Sequence, residues 1–220
     1  MAAPADLLGW CRILAPPVLP VTSRLLYLAR HGETAWNSEQ RWQGQTDIAL
    51  NANGRAQALA LAARLHRLGI ARGIARIIAS DLSRARETAE IVARHLGAGA
   101  VALDPGLRER GYGVFEGLTR EQCEAQQAEE WARYLADRTH TPARGEPQTE
   151  VVARMRAAVA RARATMTGPE EAVLIVGHGG SIRALIADAT GWRPPPMENG
   201  DTFRVTLGPD DRLSDPQLIG

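Results

Sequence analysis

The hydrophobic pattern of the chain is dominated by short, continuous apolar runs that end abruptly in polar residues. Residues 25–29 form such a run and are followed at once by Arg30, His31 and Gly32. Residues 74–79 and 172–176 have much the same character, and residues 101–103 form a shorter run. Runs of this length are typical of strands buried on both faces of a parallel sheet. Residues 202–207 instead alternate polar and apolar positions, which predicts an edge strand with one face in water.

Amphipathic segments separate these runs, so strands and helices are expected to alternate. The first predicted helix begins at Asn51 or Asn53, and the second begins at Asp81 or Ser83. Further helices are predicted over residues 152–166 and from about residue 180 to 189. This alternation indicates an α/β fold, a three-layer α/β/α sandwich with a mostly parallel, doubly wound sheet.

Residues 107–148 interrupt the alternation. Thr119 and Gln122 have the spacing of a capping box, which predicts a helix from there to about residue 136. We interpret residues 110–148 as a small helical cap inserted into an α/β domain of residues 24–220. Residues 1–23 are interrupted by prolines, and no basic residue precedes their apolar part. They are expected to be a flexible N-terminal extension rather than a signal peptide.

Composition narrows the classes of function. All 26 basic residues are arginine, which excludes a lysine Schiff base and a phosphate-loop lysine. The net charge is only +1, so no nucleic-acid partner is expected. No apolar run is long enough to span a membrane, and two cysteines, Cys11 and Cys123, are too few for a disulfide framework. We therefore expect a cytoplasmic protein with no membrane partner.

Three of the predicted strands end in residues suited to binding an anion. Arg30 and His31 follow the first, Arg84 lies just after the second, and His178 follows the run at 172–176. Because the carboxyl ends of parallel strands meet at one sheet edge, these groups should surround a single crevice. A helix beginning near Gly180 would add backbone N–H groups there. Such a gathering of cationic and donor groups suits a phosphate.

Several motifs strengthen this interpretation. They are R-H-G-E-T at residues 30–34, W-N at 36–37, R-x-Q-G-x-x-D at 41–47, S-D-L-S-R-A-R-E-T at 80–88, L-R-E-R at 107–110 and G-H-G-G at 177–180. Together the motifs resemble those of the histidine phosphatase superfamily, in the branch of cofactor-dependent phosphoglycerate mutases and related phosphatases. The resemblance extends over about residues 25–207.

The resemblance implies a role for each matching residue. His31 would be the nucleophile that becomes a phosphohistidine, and Glu109 would be the proton donor. The other catalytic groups, which would surround the phosphoryl group, are Arg30, Arg84 and His178. Substrate contacts are expected from Asn37, Gln43, Gly44, Tyr112 and Gly179. No metal site and no cofactor are expected, because no histidine spacing fits zinc and arginines can supply the positive charge.

Several of these assignments have competitors in the sequence. Arg86 competes with Arg84, while Glu116 and Glu33 are rival acids to Glu109, which could form a surface ion pair with its neighbours Arg108 and Arg110. The remaining histidines, His66, His95 and His140, are interpreted as structural. The arginines of the helix at 152–166 are expected to form a solvated face; they are Arg154, Arg156, Arg161 and Arg163.

The function expected from this combination is a metal-independent phosphomonoesterase acting on a small-molecule phosphate ester. The alternative is a cofactor-dependent phosphoglycerate mutase, which needs a second anion site. The predicted cap contains no adjacent basic residues, which favours the phosphatase, although Arg120, Arg133, Arg138 and Arg144 could bind a second acidic group. A more distant alternative is a non-catalytic phosphate-binding protein. A homodimer is compatible with the sequence, and the identity of the ester is left open.

Overall fold

A mixed sheet of six strands forms the centre of the computed structural model, which describes residues 24–168 and 171–219. In chain order the strands are β1 (Arg24–Arg30), β2 (Ile74–Ala79), β3 (Ala102–Leu103), β4 (Ala172–Gly177), β5 (Thr202–Leu207) and β6 (Leu213–Leu218). Their spatial order is β3-β2-β4-β1-β5-β6. The first four strands of this order are parallel to one another, and β5 runs antiparallel to both of its neighbours, β1 and β6. The predicted α/β fold with a mostly parallel sheet is confirmed.

Within the described residues, seven α-helices connect the strands. They are α1 (Ala35–Ser38), α2 (Ala52–Arg67), α3 (Ser83–Leu96), α4 (Arg120–Gln126), α5 (Ala128–Ala136), α6 (Gln148–Ala164) and α7 (Gly179–Thr190). Helix α2 begins as predicted, because the Asn51 side chain accepts the N–H of Gly54 at 2.8 Å. Helix α3 begins at Ser83, but its N-terminal cap is Leu82, which makes no side-chain capping bond.

The core has two layers, one on each face of the sheet. Along β1, Leu26 and Leu28 pack on one face in a cluster with apolar residues of α6 and α7. Tyr27 and Ala29 pack on the opposite face with residues of α2 and α3. Strand β1 is therefore buried on both sides, and its carboxyl end reaches a sheet edge flanked by helices from both layers. This arrangement confirms the three-layer sandwich.

One strand prediction was wrong. Residues 202–207 do not form an edge strand, because β5 lies between β1 and β6 and most of its residues are buried. The edge beyond β5 is formed by β6, whose sequence L-S-D-P-Q-L carries no hydrophobic signal of a strand. Pro216 cannot donate a ladder hydrogen bond, which suits an edge position.

The middle segment contains two helices rather than one. The capping box at Thr119 is present as predicted, since its side chain accepts the N–H of Gln122. The helix then breaks at Gln127, and α5 follows. Trp131 and Tyr134 of α5 pack against Phe115 in a separate aromatic cluster. Residues 1–23, with the predicted extension and Cys11, lie outside the described residues. None of the helices in the described ranges is long and apolar enough to cross a membrane.

Candidate active site

A cavity of 370 Å³ opens at the carboxyl ends of β1, β2 and β4. Nine of the ten residues singled out from the sequence line it; they are Arg30, His31, Asn37, Gln43, Gly44, Arg84, Glu109, Tyr112 and Gly179. The tenth, His178, is fully buried behind it, with its ring centroid 5.1 Å from that of His31. The fold therefore gathers all ten residues at one place.

The imidazole of His31 is buried and held in one tautomer. Its Nδ1 lies 2.6 Å from the carbonyl oxygen of Gly32, which can only accept a hydrogen bond. Nδ1 therefore carries the proton, and Nε2 keeps its lone pair. Burial, followed by the charges of Arg84 and Arg30, holds the pKa of His31 well below its ordinary value. The ring is thus neutral, as an attacking imidazole must be.

His178 has no hydrogen-bond partner at either ring nitrogen within the described residues. Burial, with Arg84 the next largest influence, holds its pKa well below the ordinary value of histidine. Buried polar atoms normally find a partner, and an orphaned pair of nitrogens calls for an explanation. Their position beside His31 makes them candidates to contact a polar ligand in the adjacent cavity.

Arg84 is the arginine of helix α3 that faces the site. It is fully buried, and its two terminal nitrogens donate to the carbonyl oxygens of Thr46 at 2.9 Å and Gly44 at 2.8 Å. Burial lowers the pKa of Arg84 to about 10, which still leaves it charged at neutral pH. Its competitor Arg86 is half exposed, and its Nε lies 3.8 Å from Oε1 of Glu90. The geometry therefore selects Arg84 over Arg86.

Arg30 supplies a second buried cation at the cavity wall. One of its terminal nitrogens donates to the carbonyl oxygen of Met197 at 2.5 Å, which orients the guanidinium group. Burial lowers its pKa, while the nearby Glu109, Glu198 and Asp201 oppose that effect. Two charged guanidinium groups thus line the cavity that also holds the lone pair of His31.

The carboxylate of Glu109 caps helix α7. Its Oε2 accepts the backbone N–H of Gly180, and its Oε1 accepts that of Ser181, both at 2.8 Å. Oε1 also accepts the N–H of Arg110 at 2.8 Å. The sequence prediction that the start of this helix would bind an external anion needs correction. Two of its N–H groups are already taken by the side chain of Glu109.

The basic neighbours of Glu109 do not pair with it. Arg108 forms a two-pronged ion pair with Asp81, and the guanidinium group of Arg110 donates to the carbonyl oxygens of Glu146 and His140. The surface ion pair considered from the sequence is therefore wrong. Glu109 keeps its carboxylate directed at the helix terminus and the cavity.

The rival acids have structural contacts. Glu116 accepts the backbone N–H groups of Gln45, Thr46 and Tyr112 at 3.2, 3.1 and 2.9 Å. It thereby fastens the loop that carries Gly44, whose φ of +56° and contact with Glu116 leave no room for a side chain. Glu33 accepts the side-chain amide of Asn51 at 2.7 Å and belongs to the cap of helix α2.

Asn37 and Gln43 lie in the first loop, the segment between β1 and helix α2. Asn37 accepts the backbone N–H of Thr34 at 3.1 Å as part of the cap of helix α1. Asn199, which no sequence motif singled out, donates to the carbonyl oxygen of His31 at 3.0 Å and to Oδ1 of Asn37 at 3.3 Å. Gln43 is buried, and within the described residues its Oε1 has no partner.

A sequence profile of the histidine phosphatase superfamily (branch 1) matches residues 26–207. The chain belongs to the histidine phosphatase superfamily. It is 41% identical over 169 residues to an Erwinia tasmaniensis protein named "Probable phosphoglycerate mutase GpmB", covering 76% of this chain and 74% of that protein.

Solved structures agree with this membership. The structure of mycobacterial glucosyl-3-phosphoglycerate phosphatase in complex with VO3 superposes with a TM-score of 0.76 at 32% identity, covering 89% of this chain and 97% of that one. Bacillus stearothermophilus YhfR gives a TM-score of 0.74, also at 32% identity, over 87% of this chain and 94% of that one. This member of the superfamily thus has relatives named as mutases and as phosphatases.

Three further residues of the cavity wall were not predicted as site residues. Trp42, Tyr134 and Arg183 also line the cavity. Arg183 donates Nε to the carbonyl oxygen of Pro194 at 3.0 Å, and no carboxylate in the described part of the chain forms an ion pair with it. Its position four residues after Gly179 places both on one face of α7, which is the signal that could have found it.

The arginines of helix α6 are not a uniform solvated face. Arg156, Arg161 and Arg163 pair with acidic side chains at or near the surface. Arg154 is different, because its side chain is only 20% exposed and donates to backbone carbonyls beside Glu109. The four arginines that could have bound a second acidic group of the substrate do not do so in the described cavity. They are exposed and do not line it: Arg120, Arg133, Arg138 and Arg144.

Proposed function

We propose that this protein is a phosphomonoesterase that hydrolyses small phosphorylated metabolites through a phosphohistidine on His31. The observation that carries the proposal is the neutral imidazole of His31, with its proton fixed on Nδ1, beside a cavity lined by Arg30 and Arg84. A lone pair on Nε2 is the nucleophile that phosphoryl transfer needs. The two guanidinium groups match the charge of the phosphoryl oxygens.

In the first step, the lone pair of Nε2 attacks phosphorus and the bond to the leaving oxygen breaks. A proton from the carboxyl group of Glu109 passes to that oxygen, so the product leaves as an alcohol. Arg30 and Arg84 stabilise the charge that develops on the three equatorial oxygens. The ring nitrogens of His178, which lack partners in the described residues, are placed to share in binding those oxygens.

In the second step, water attacks the phosphohistidine. Glu109, now a carboxylate, takes one proton of the water, and the bond between phosphorus and Nε2 breaks, which returns the electron pair to the ring. Inorganic phosphate leaves, and Glu109 is again protonated. Arginine side chains supply all the positive charge used in these steps, so the proposed mechanism requires no metal.

The mutase reaction is the second candidate, and one observation favours it. Arg183 faces the cavity without a carboxylate partner in the described ranges and could hold the second acidic group of a phosphoglycerate. The name of the Erwinia relative agrees with that activity. The mutase also needs to bind a doubly phosphorylated cofactor. The cap arginines are exposed and do not line the cavity, so they would not help Arg183 to bind the second phosphate group. The mycobacterial phosphatase agrees with hydrolysis of a phosphoglycerate derivative.

The first experiment measures phosphate release from p-nitrophenyl phosphate by the purified full-length chain, with and without EDTA. We expect turnover that is insensitive to EDTA, inhibited by vanadate and abolished in His31→Ala. His95→Ala, on the exposed end of helix α3, is the matched control and should keep full activity. A labelled phosphate ester quenched during turnover should leave label on His31. Turnover by His31→Ala, or an unlabelled protein, would refute the proposal.

A second measurement separates the candidates. The enzyme is incubated with 3-phosphoglycerate, with and without the bisphosphate, and both inorganic phosphate and 2-phosphoglycerate are measured. Release of phosphate without the isomer supports the phosphatase, whereas isomer formed faster than phosphate supports the mutase. Binding of phosphate with no turnover of any ester would indicate a non-catalytic protein. A wider panel, including sugar conjugates of phosphoglycerate and α-ribazole phosphate, would then rank the substrates.

A further inference from the structure

The guanidinium group of Arg154 forms five hydrogen bonds, three to backbone carbonyls of the segment that carries Glu109 and two to the carboxylate of Glu146. Its Nη1 donates to the carbonyl oxygens of Gly106 and Arg108, and its Nη2 donates to that of Glu109 at 2.9 Å. Its Nε and Nη2 donate to the two carboxylate oxygens of Glu146 at 2.6 and 2.9 Å. One side chain of helix α6 therefore satisfies three backbone carbonyls within four consecutive residues.

Glu146 extends this contact to two other parts of the site. Its Oε2 accepts the backbone N–H of Gly111 at 3.1 Å and the side-chain amide of Gln45 at 3.3 Å. Burial alone would raise the pKa of Glu146, but the hydrogen bond and charge of Arg154 hold it below the ordinary value. The carboxylate thus stays charged and links helix α6 to residue 111 and to the first loop.

Segment 106–111 has little regular structure of its own, and only residues 105–107 form a single 3-10 turn. The carboxylate of Glu109 is fixed at its far end by the N–H groups of helix α7. The backbone of Glu109 is fixed from the other side, because its carbonyl oxygen accepts a hydrogen bond from Arg154. Both ends must be held, because proton transfer to a leaving oxygen depends on distances of a few tenths of an ångström.

We propose that Arg154 and Glu146 are a positioning pair that places the proton donor Glu109 against the leaving oxygen. The inference rests on the proposed phosphatase mechanism. Neither residue lines the cavity, so the pair acts through the backbone of segment 106–111 and not by touching the substrate. Its loss should impair leaving-group protonation while sparing the phosphate pocket of Arg30 and Arg84.

The test uses leaving groups that differ in their need for a proton. An alkyl phosphate such as glycerol 3-phosphate expels a strongly basic alkoxide, whereas p-nitrophenyl phosphate expels a weakly basic phenolate. The quantity compared is kcat/KM, because it reports steps up to departure of the leaving group and excludes hydrolysis of the phosphohistidine. In Arg154→Met we expect kcat/KM to fall about 10- to 100-fold for the alkyl ester and only slightly for the aryl ester.

Three variants make the result specific. Glu109→Gln should lower kcat/KM for the alkyl ester more than Arg154→Met does. Glu146→Gln should lower it less. Arg156→Met is the matched control on the same helix, because its exposed guanidinium group pairs with Asp188 away from the site. It should change neither ester. Inhibition by inorganic phosphate should be unchanged in Arg154→Met, since Arg30 and Arg84 remain.

Equal losses for both esters in a folded Arg154→Met would overturn the proposal, as would no loss for either. Circular dichroism and thermal unfolding establish folding, and Arg154→Lys serves if the methionine variant does not fold. Lysine keeps the charge but lacks the planar fork, so it should retain the selective loss in part. Failure of the phosphatase mechanism itself is distinguishable, because the wild-type chain would then hydrolyse neither ester or His31→Ala would remain active.

Discussion

The backbone N–H of Gly180 donates to Oε2 of Glu109 at 2.8 Å, so the second residue of helix α7 is bonded to the proposed proton donor. A Cβ atom at residue 180 would lie 2.7 Å from Oε1 of Glu109 and 2.9 Å from the hydroxyl oxygen of Tyr112. The lack of a side chain at this position is therefore what allows the carboxylate to reach the helix terminus. The same acid caps the helix and faces the cavity.

Gly180→Ala should accordingly displace the Glu109 carboxylate. We expect kcat/KM for alkyl phosphates to fall about 10- to 100-fold, because the acid moves away from the leaving oxygen. Gly99→Ala is the control, since a Cβ there would meet nothing within 4 Å. Steady-state kinetics on both variants test the idea, and wild-type kinetics in Gly180→Ala would contradict it.

The hydrogen bonds from both terminal nitrogens of Arg84 predict that a lysine cannot replace this arginine. A lysine ammonium group has its donors on one nitrogen and lacks the planar guanidinium group, whose two terminal nitrogens separately hold the carbonyl oxygens of Thr46 and Gly44. We expect Arg84→Lys to lower kcat/KM for every ester by about 100-fold or more, as for loss of a charge-stabilising donor. Arg86→Lys should leave it unchanged, and similar losses in the two variants would refute the assignment.

Glu116 is predicted to be an anchor of the first loop rather than an acid in the reaction. Glu116→Ala leaves the N–H groups of Gln45, Thr46 and Tyr112 without their acceptor. The free energy of unfolding should fall by about 1–3 kcal/mol, and KM should rise for aryl and alkyl esters alike. Urea titration and kinetics measure both, with exposed Glu124→Ala as the control. A loss confined to alkyl esters would instead make Glu116 the proton donor.

Arg183 predicts a preference for esters that carry a second acidic group. Arg183→Met should raise KM for 3-phosphoglycerate about 10-fold, the value of one charge-assisted hydrogen bond, while KM for p-nitrophenyl phosphate stays constant. The substitution keeps an unbranched apolar stem and removes the guanidinium group with its charge. If both substrates respond equally, Arg183 contributes to phosphate binding or to folding and does not select the substrate.

The two buried histidines predict how stability depends on pH. In the folded chain the pKa values of His31 and His178 are well below their ordinary value, so the unfolded chain binds protons that the folded chain does not. Stability therefore rises with pH in this window and falls as pH drops below about 6.5. Each histidine contributes a slope of about 1.4 kcal/mol per pH unit.

His178→Gln should remove one such contribution. Urea unfolding between about pH 5 and pH 7 measures the slope, which should decrease by about 1.4 kcal/mol per pH unit in this variant. His66→Gln, at an exposed position on helix α2, is the control for replacing a surface histidine. Equal slopes in wild type and His178→Gln would show that His178 is not held neutral.

The parts of the fold that the sequence predicted are those with a strong local signal. Continuous apolar runs identified β1 and β4, and the residues directly after them, His31 and His178, were placed at one sheet edge by topology alone. Strand β6 carries no such signal, since its pairing with β5 stabilises a polar segment that includes Pro216. Its absence from the prediction explains why β5 was misassigned as the edge.

The site was predictable where a residue touches the cavity from a strand end, and not where its role depends on distant backbone. Arg154 has the spacing of a solvated helix position, and nothing in the sequence reveals the three carbonyls that it meets. The same holds for Asn199, whose partners lie more than 160 positions earlier. The break at Gln127 was missed because both of its flanking segments favour helix.

The aromatic wall of the cavity has a consequence for how this enzyme acquires substrates. Trp42 and Tyr134 pack with ring centroids 5.4 Å apart, and Tyr134 belongs to the middle segment, whereas Arg30 and His31 belong to the end of β1. We therefore propose that one side of the cavity wall, at Tyr134, is encoded in a different stretch of the gene from the proposed nucleophile His31. Drift in the middle stretch can change the metabolite that is accepted while the inherited reaction continues unaltered.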